Sequence, residues 1–232
     1  MIRSFNFLNF IFLVIIFGCG DSESESSDDI VIPEESDSTW NLIWNEEFSG
    51  QELDNSKWNI LRWRPGWVNN ELQAYTNRDT NLYFKDGCLV IRALVEPGYF
   101  DEDYLGNSYN SDYTSGRINT AGKFNKTYGR YDIRAKLPKG RGSWPAIWML
   151  GENISTDGWP YCGEIDIIEW SPSNGPSKYS HALHFQGTEG HQFLHGSHIH
   201  SEDLSNAFHN YKTIISHPNY GTPSIEMFFD AS

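Results

Sequence analysis

Gly163-Glu164-Ile165-Asp166-Ile167-Ile168-Glu169-Trp170-Ser171-Pro172 is the stretch whose reading decides the fold. Its three carboxylates alternate with Ile165, Ile167, Ile168 and Trp170, a β-branched and aromatic set that predicts a buried-type strand. Side chains alternate across a strand, so Glu164 and Asp166 share one face. Glu169 has the opposite parity and strict alternation would turn it away. One β-bulge near Ile167 or Ile168 would return it to the carboxylate face, and bulges re-aim side chains beside active sites. Three acids on an apolar strand are costly to keep unless they do chemistry. The alternative, a solvated polar face on an edge strand, fits poorly with acids clustered in such a run.

Two carboxyl groups flanking one point are what glycoside hydrolysis requires; retaining enzymes hold them about 5–5.5 Å apart, one as nucleophile and one as general acid/base. Asp166, between them, is placed to hydrogen-bond the nucleophile and to hold the two pKa values apart. The strand resembles the Glu-x-Asp-x-x-Glu signature of glycoside hydrolase family 16, in the bulged form of laminarinase-like endo-β-1,3-glucanases. That resemblance implies Glu164 as nucleophile, Asp166 as its assistant and Glu169 as acid/base.

The 232 residues suffice for one sizeable domain. With 9 Trp, 12 Tyr, 14 Phe and 20 Gly, and without long 3.6-period stretches, the sequence predicts an all-β fold. Abundant aromatics suit stacking on sugar rings as well as ordinary sandwich cores. The net charge is −14. Residues 21–37 hold eight acids and no base, which leaves 23 acids against 16 bases in the body. Nucleic acid is a poor partner for such a surface, whereas a neutral polysaccharide is compatible with it.

Arg3 followed by the apolar run from Phe7 to Phe17 reads as a secretory signal, too short for a comfortable membrane span. Its end, Ile16-Phe17-Gly18-Cys19, resembles a bacterial lipoprotein box with Cys19 as the lipidated residue; a plain cleaved signal with an incidental Cys is the alternative. Residues 20–38 are acidic and Ser-rich and predict a disordered tether. Acids directly after the Cys resemble the surface-export signals of Bacteroidetes-type lipoproteins. The expected division is therefore a signal at 1–19, a linker at 20–38 and a catalytic domain at 39–232. The expected location is outside the cytoplasm, lipid-anchored to the bacterial outer membrane or cell surface, with no other membrane contact. Cys88 and Cys162 either pair, as exported cysteines do, or are simply buried; the family resemblance favours the latter for Cys162.

Trp44-Asn45-Glu46-Glu47-Phe48-Ser49-Gly50 resembles the opening of family 16 domains, and Asn69-Asn70-Glu71-Leu72-Gln73-Ala74-Tyr75-Thr76 a stretch of the laminarinase branch, which makes Asn70 a substrate contact by resemblance. Residues 97–113 read as a long loop at a cleft rim. Ser115-Gly116-Arg117-Ile118-Asn119-Thr120 and residues 128–138 continue the resemblance through two strands. In Gly142-Ser143-Trp144-Pro145-Ala146-Ile147-Trp148-Met149-Leu150, period two puts Trp144, Ala146 and Trp148 on one face and Ile147 and Met149 on the other. A small residue between two indoles leaves a platform for a sugar; the alternative is that both are core, and the resemblance favours substrate contact. His184 stands where the family carries a cleft histidine. His209 matches a family position of structural character.

Six of the eight His lie between His181 and His200. His198 and His200 form an i, i+2 pair able to ligate a metal from one face, but no third ligand stands at a telling spacing, so a polar loop is the expectation. By resemblance the family's structural calcium site draws on an N-terminal acid, here Glu47, and on an acid from the C-terminal strands; no metal is claimed from the sequence and no cofactor is expected. Ile225-Glu226-Met227-Phe228-Phe229-Asp230 resembles the strand before an Asp-Gly hairpin, where Ala231-Ser232 stand instead, and Ile215 replaces a usual Trp. The expected fold is thus a concanavalin A-like jelly-roll β-sandwich, incomplete at the C-terminus and poorly soluble through exposed strand edges. By resemblance the protein is a monomer acting on laminarin-type β-1,3-glucan. The alternatives are mixed-linkage glucan, agarose, carrageenan or xyloglucan as substrate, or a non-catalytic surface glycan-binding lipoprotein.

Overall fold

The computed structural model describes residues 10–14, 40–220 and 222–230, and within them the fold is almost entirely β. In chain order the strands are β1 (Phe10–Val14), β2 (Asn59–Ile60), β3 (Ala74–Tyr75), β4 (Leu82–Lys85), β5 (Cys88–Ile91), β6 (Leu94–Glu102) and β7 (Ser108–Ser115). They continue with β8 (Ile118–Asn119), β9 (Asn125–Lys126), β10 (Gly129–Ala135), β11 (Ala146–Gly151) and β12 (Glu164–Trp170). The last are β13 (Lys178–Gly187), β14 (Gly190–Ile199), β15 (His209–Ile215) and β16 (Ile225–Phe229). One short helix, α1 (Ile154–Asp157), lies between β11 and β12. No helix among the described residues is long and apolar enough to cross a membrane.

The large sheet runs β14-β13-β12-β11-β1-β8-β2, and β10-β15-β16 form a second layer whose strand β15 packs against β12. This is a jelly-roll sandwich, as the alternation of short strands and turns predicts. The core between the layers follows from parity. Ile165, Ile168, Ile147 and Met149 turn inward to meet Tyr211 and Ile215, and all six are essentially inaccessible to water. A buried side chain of this size contributes roughly 1.5–3 kcal/mol by leaving water. Each inward residue on β11 and β12 therefore anchors an outward neighbour on the opposite face, which is where the carboxylates stand.

Several expectations change. Residues 97–113 are not a loop but most of the β6–β7 hairpin. Their Gly, Asn and Asp content hid an alternation of Tyr99, Asp101 and Tyr109 that pairs across the ladder, and Asp103 closes the turn by accepting the N–H groups of Leu105 and Asn107. His198 sits in strand β14, not in a polar loop. Cys162 is a buried free thiol, so it does not pair with Cys88. Phe10–Val14 pairs with β11 in register Phe10↔Gly151 to Val14↔Ile147. Cys19 and the linker at 20–38 lie outside the described residues.

Gly151 ends β11 where the chain returns toward β12. A Cβ there would stand 2.0 Å from the carbonyl oxygen of Cys162, a backbone atom that cannot step aside. Gly151→Ala should therefore lower stability by about 1–3 kcal/mol or more, read as a fall in the urea midpoint at unchanged m-value; an unmoved midpoint would mean that this loop is free to shift.

Candidate active site

The register of β12 against its neighbours decides where the acids point. Against β13, Asp166 pairs with Ala182 but Glu169 pairs with Ser180, so three steps on one strand meet two on the other. Against β11, Ile168 pairs with Ile147 and Asp166 with Trp148, which leaves Ile167 as the extra residue. The bulge lies at the Ile167–Ile168 step that the sequence singled out, and it puts Glu164, Asp166 and Glu169 on one face. Ile167 and Ile168 are both buried, so the irregularity exposes no apolar surface.

Each glutamate is held by an indole from a flanking loop. Trp159 Nε1 donates to Glu164 Oε2 at 2.6 Å, and Trp144 Nε1 donates to Glu169 Oε1 at 3.1 Å. Asp166 is buried between them and hydrogen-bonds Glu164. Burial, then the charges of Glu164 and Glu169, push the Asp166 carboxyl up to about 9. Burial also raises Glu164, against the opposing pull of the Trp159 and Asp166 hydrogen bonds, and raises Glu169 against that of Trp144. Asp166 is thus the neutral member that donates its proton to Glu164, leaving Glu164 the anion. Glu169, raised by desolvation, is suited to hold and deliver a proton. A cavity of about 390 Å³ opens on the Glu169 side, lined by Gly142, Ser143, Trp144, Asn174 and Ser180.

The strands on either side complete the face. Trp148 stands across from Asp166 and Ala146 across from Glu169, while Ile147 and Met149 are buried on the other side as parity requires. Trp144 is half exposed at the rim. His184, across from Glu164, brings Nε2 to 3.3 Å from Asp166 Oδ2 and Nδ1 to 3.0 Å from Nε2 of His191. Burial and then His191 lower the His184 pKa, so the ring is neutral; Nε2–H directed at Asp166 leaves Nδ1 to accept from His191. Glu164, Asp166, Glu169, Trp144, Trp148 and His184 are therefore brought together. Asn70 is exposed in a turn at φ 53°, and no hydrogen bond among the described residues ties it to the carboxylates.

Three contributors were missed by the sequence reading. Trp159 sits in a loop with no periodicity, five residues before Glu164. His191 is one of six clustered histidines that only the β13–β14 register distinguishes. Arg117 is buried, with its guanidinium 4.5 Å from the Trp63 ring, 5.0 Å from Trp148 and 5.4 Å from Tyr75, and 3.9 Å from Glu71. Desolvated cation–π contacts contribute on the order of 2 kcal/mol each, enough to fix Trp148, and the positive charge opposes the upward shift of Glu164. The adjacent Gly116 was the available signal: a Cβ there would stand 2.6 Å from Leu82.

The model of the family described as Glycosyl hydrolases family 16 matches residues 63–217, more than half of the chain. The chain is similar to Glucan endo-1,3-beta-glucosidase A1 of Niallia circulans, 39% identical over 192 residues that cover 77% of this chain and 27% of that protein. It is also similar to the Beta-glucanase of Rhodothermus marinus, 42% identical over 161 residues, 68% of this chain and 50% of the relative. The chain thus spans half or less of the length of these curated relatives. Among solved structures, the laminarinase catalytic domain from Thermotoga maritima MSB8 superposes with a TM-score of 0.67 at 36% identity, covering 82% of this chain and 74% of that one.

The raised Asp166 carboxyl has a consequence for stability. Between the ordinary value of 3.8 and about 9 the folded state binds a proton that the unfolded state releases. The contribution is fully present below the ordinary value and is lost as pH rises through the folded one. The urea midpoint should fall from about pH 5 to about pH 9 in the wild type, and Asp166→Asn should flatten that slope; an Asn variant with the wild-type slope would place the titration elsewhere.

Proposed function

The chain belongs to glycosyl hydrolase family 16, and we propose that it cleaves β-1,3-glucan of the laminarin type internally, with retention of configuration. The observation that carries this reading is the bulge that sets Glu164 and Glu169 on one face with Asp166 between them. Glu164 attacks the anomeric carbon while Glu169 gives its proton to the departing glycosidic oxygen, so one C–O bond forms as the other breaks. Glu169, now the anion, takes a proton from water, which displaces Glu164 and restores the starting configuration. The Trp159 N–H on Oε2 fixes the Glu164 carboxylate so that its other oxygen faces the sugar. The protonated Asp166 stabilises the Glu164 anion and lets it leave in the second step.

The cavity beside Glu169 takes the leaving-group side of the glucan, where an acid must stand. Trp148 and Trp144 offer ring faces along the path, and His184 and Asn70 polar contacts. Residues 39–232 act as the catalytic unit and as a monomer. The similarity to glucan endo-1,3-beta-glucosidases supports laminarin over mixed-linkage glucan, agarose or carrageenan.

The test is reducing-sugar release from a panel of these polysaccharides, with the anomer first formed from laminarin read by proton NMR. Laminarin should be the preferred substrate and the β-anomer should appear first; an α-anomer would overturn the double displacement. Glu164→Gln should abolish turnover, and Glu169→Gln should reduce it by about 10²–10⁴-fold, both with binding largely kept.

The reading extends to location. Arg3, the apolar run to Phe17 and Gly18-Cys19 support export with lipidation at Cys19, and the acidic residues 20–38 support a tether that carries the enzyme at the surface of the outer membrane. Metabolic labelling with an alkyne-bearing fatty acid should mark the wild type and not Cys19→Ser; equal labelling of both would remove Cys19 as the attachment point.

A further inference from the structure

The face that carries the acids continues past β13 onto β14. Thr188 and Glu189 form the turn between them, with Gly187 paired to Gly190, and from that register His184 faces Phe193 and Gln186 faces His191. Gly190 holds φ 106°, a conformation that favours glycine, and a two-residue turn of this kind fixes the pairing that follows it. His191 is thereby the diagonal neighbour of His184, on the same side of the sheet as Asp166. A slip of one residue would turn it to the other side.

Two contacts leave the His191 ring. Its Nε2 is 3.0 Å from His184 Nδ1. The two ring centroids are 5.2 Å apart and the planes only 22° apart, so the rings meet edge to edge and the lone pair of one nitrogen lies along the N–H of the other. The His191 ring also lies 4.5 Å from that of Trp159, whose Nε1 donates to Glu164 Oε2. One imidazole on the edge strand thus stands behind both routes to Glu164. It touches Trp159 directly and reaches Asp166 through His184, whose Nε2 is 3.3 Å from Asp166 Oδ2.

Glu164 and His184 compete for the Asp166 proton. Were His184 Nε2 a bare lone pair, Asp166 would donate to it and leave Glu164 without its donor. With the hydrogen on Nε2, Asp166 Oδ2 accepts and the Asp166 proton stays with Glu164. Burial keeps His184 neutral, so it has a single ring N–H and its place is decided by what stands at Nδ1. His191 is exposed, so water satisfies its Nδ1 and leaves Nε2 to donate; the imidazolium donates from Nε2 as well. We propose that His191 is a positioning residue of the catalytic face: by donating to His184 Nδ1 it sets His184 as the Nε2–H tautomer, which keeps the Asp166 proton on Glu164. The inference rests on the reading of Glu164 as the anion that attacks the sugar.

The test uses the full chain, isotope-labelled in its histidine rings. In long-range proton–nitrogen correlation spectra His184, assigned by the signals lost in His184→Gln, should show a hydrogen on Nε2 and a bare Nδ1, and His191→Phe should turn that pattern into a mixture of tautomers. His191→Phe keeps an aromatic ring against Trp159 but cannot donate, whereas His191→Gln donates from its amide and has no ring. On laminarin His191→Phe should lower kcat about tenfold at a little-changed KM, and His191→Gln should stay within about threefold of the wild type. The reverse order would make His191 a packing residue and overturn the proposal. A wild-type His184 with its hydrogen on Nδ1, or a His184 spectrum unchanged by His191→Phe, would overturn it too. A wild type inactive on laminarin would sink the substrate reading alone, because the spectra report the tautomer without turnover.

Discussion

One extra residue in one strand governs the rest of the site. A regular strand through Glu164, Asp166 and Glu169 would send the last acid into the core, where an unpaired carboxylate costs far more than a strand can return. The bulge at Ile167 reverses the parity of everything after it. It does so between two isoleucines that are both buried, so the sheet gains the third acid without exposing apolar surface. The inward residues Ile165 and Ile168 are packed by Ile147, Met149 and Tyr211, and that packing holds the acids at fixed positions on the outer face.

Holding three acids together makes them share protons. Like charges at close range in a desolvated site cannot all be ionised, and the most enclosed of the three, Asp166, keeps its proton. The glutamates are separated in role by what touches them. Glu164 receives an indole N–H, the Asp166 proton and the remote influence of Arg117; Glu169 receives one indole N–H beside an open cavity. The two indoles come from loops at opposite ends of β12, so the surroundings of the two glutamates depend on the loops as much as on the strand.

Legibility from sequence follows the range of each interaction. The strand, the position of its bulge and the two faces of β11 were readable, because the apolar residues that fix them are neighbours in the chain. The hairpin at 97–113 was not, since its polar, glycine-bearing composition is offset only by cross-strand pairing. Phe10–Val14 shows a different limit: its pairing with Ile147 to Gly151 is set by residues far along the chain, and nothing local announces it. The histidines show a third, for six of them within twenty residues carry no mark that His184 is the one that meets Asp166 and His191 the one behind it.

What the sequence determined by itself was the grouping of three carboxylates on one face of β12, because a period-two pattern with one forced bulge places them without reference to anything distant. The tertiary structure alone decided which indole holds which glutamate, that Arg117 lies beneath Trp148, and that His209 meets Asp230. These contacts join residues up to about thirty positions apart along the chain, and only the closure of two sheets over one core brings them together.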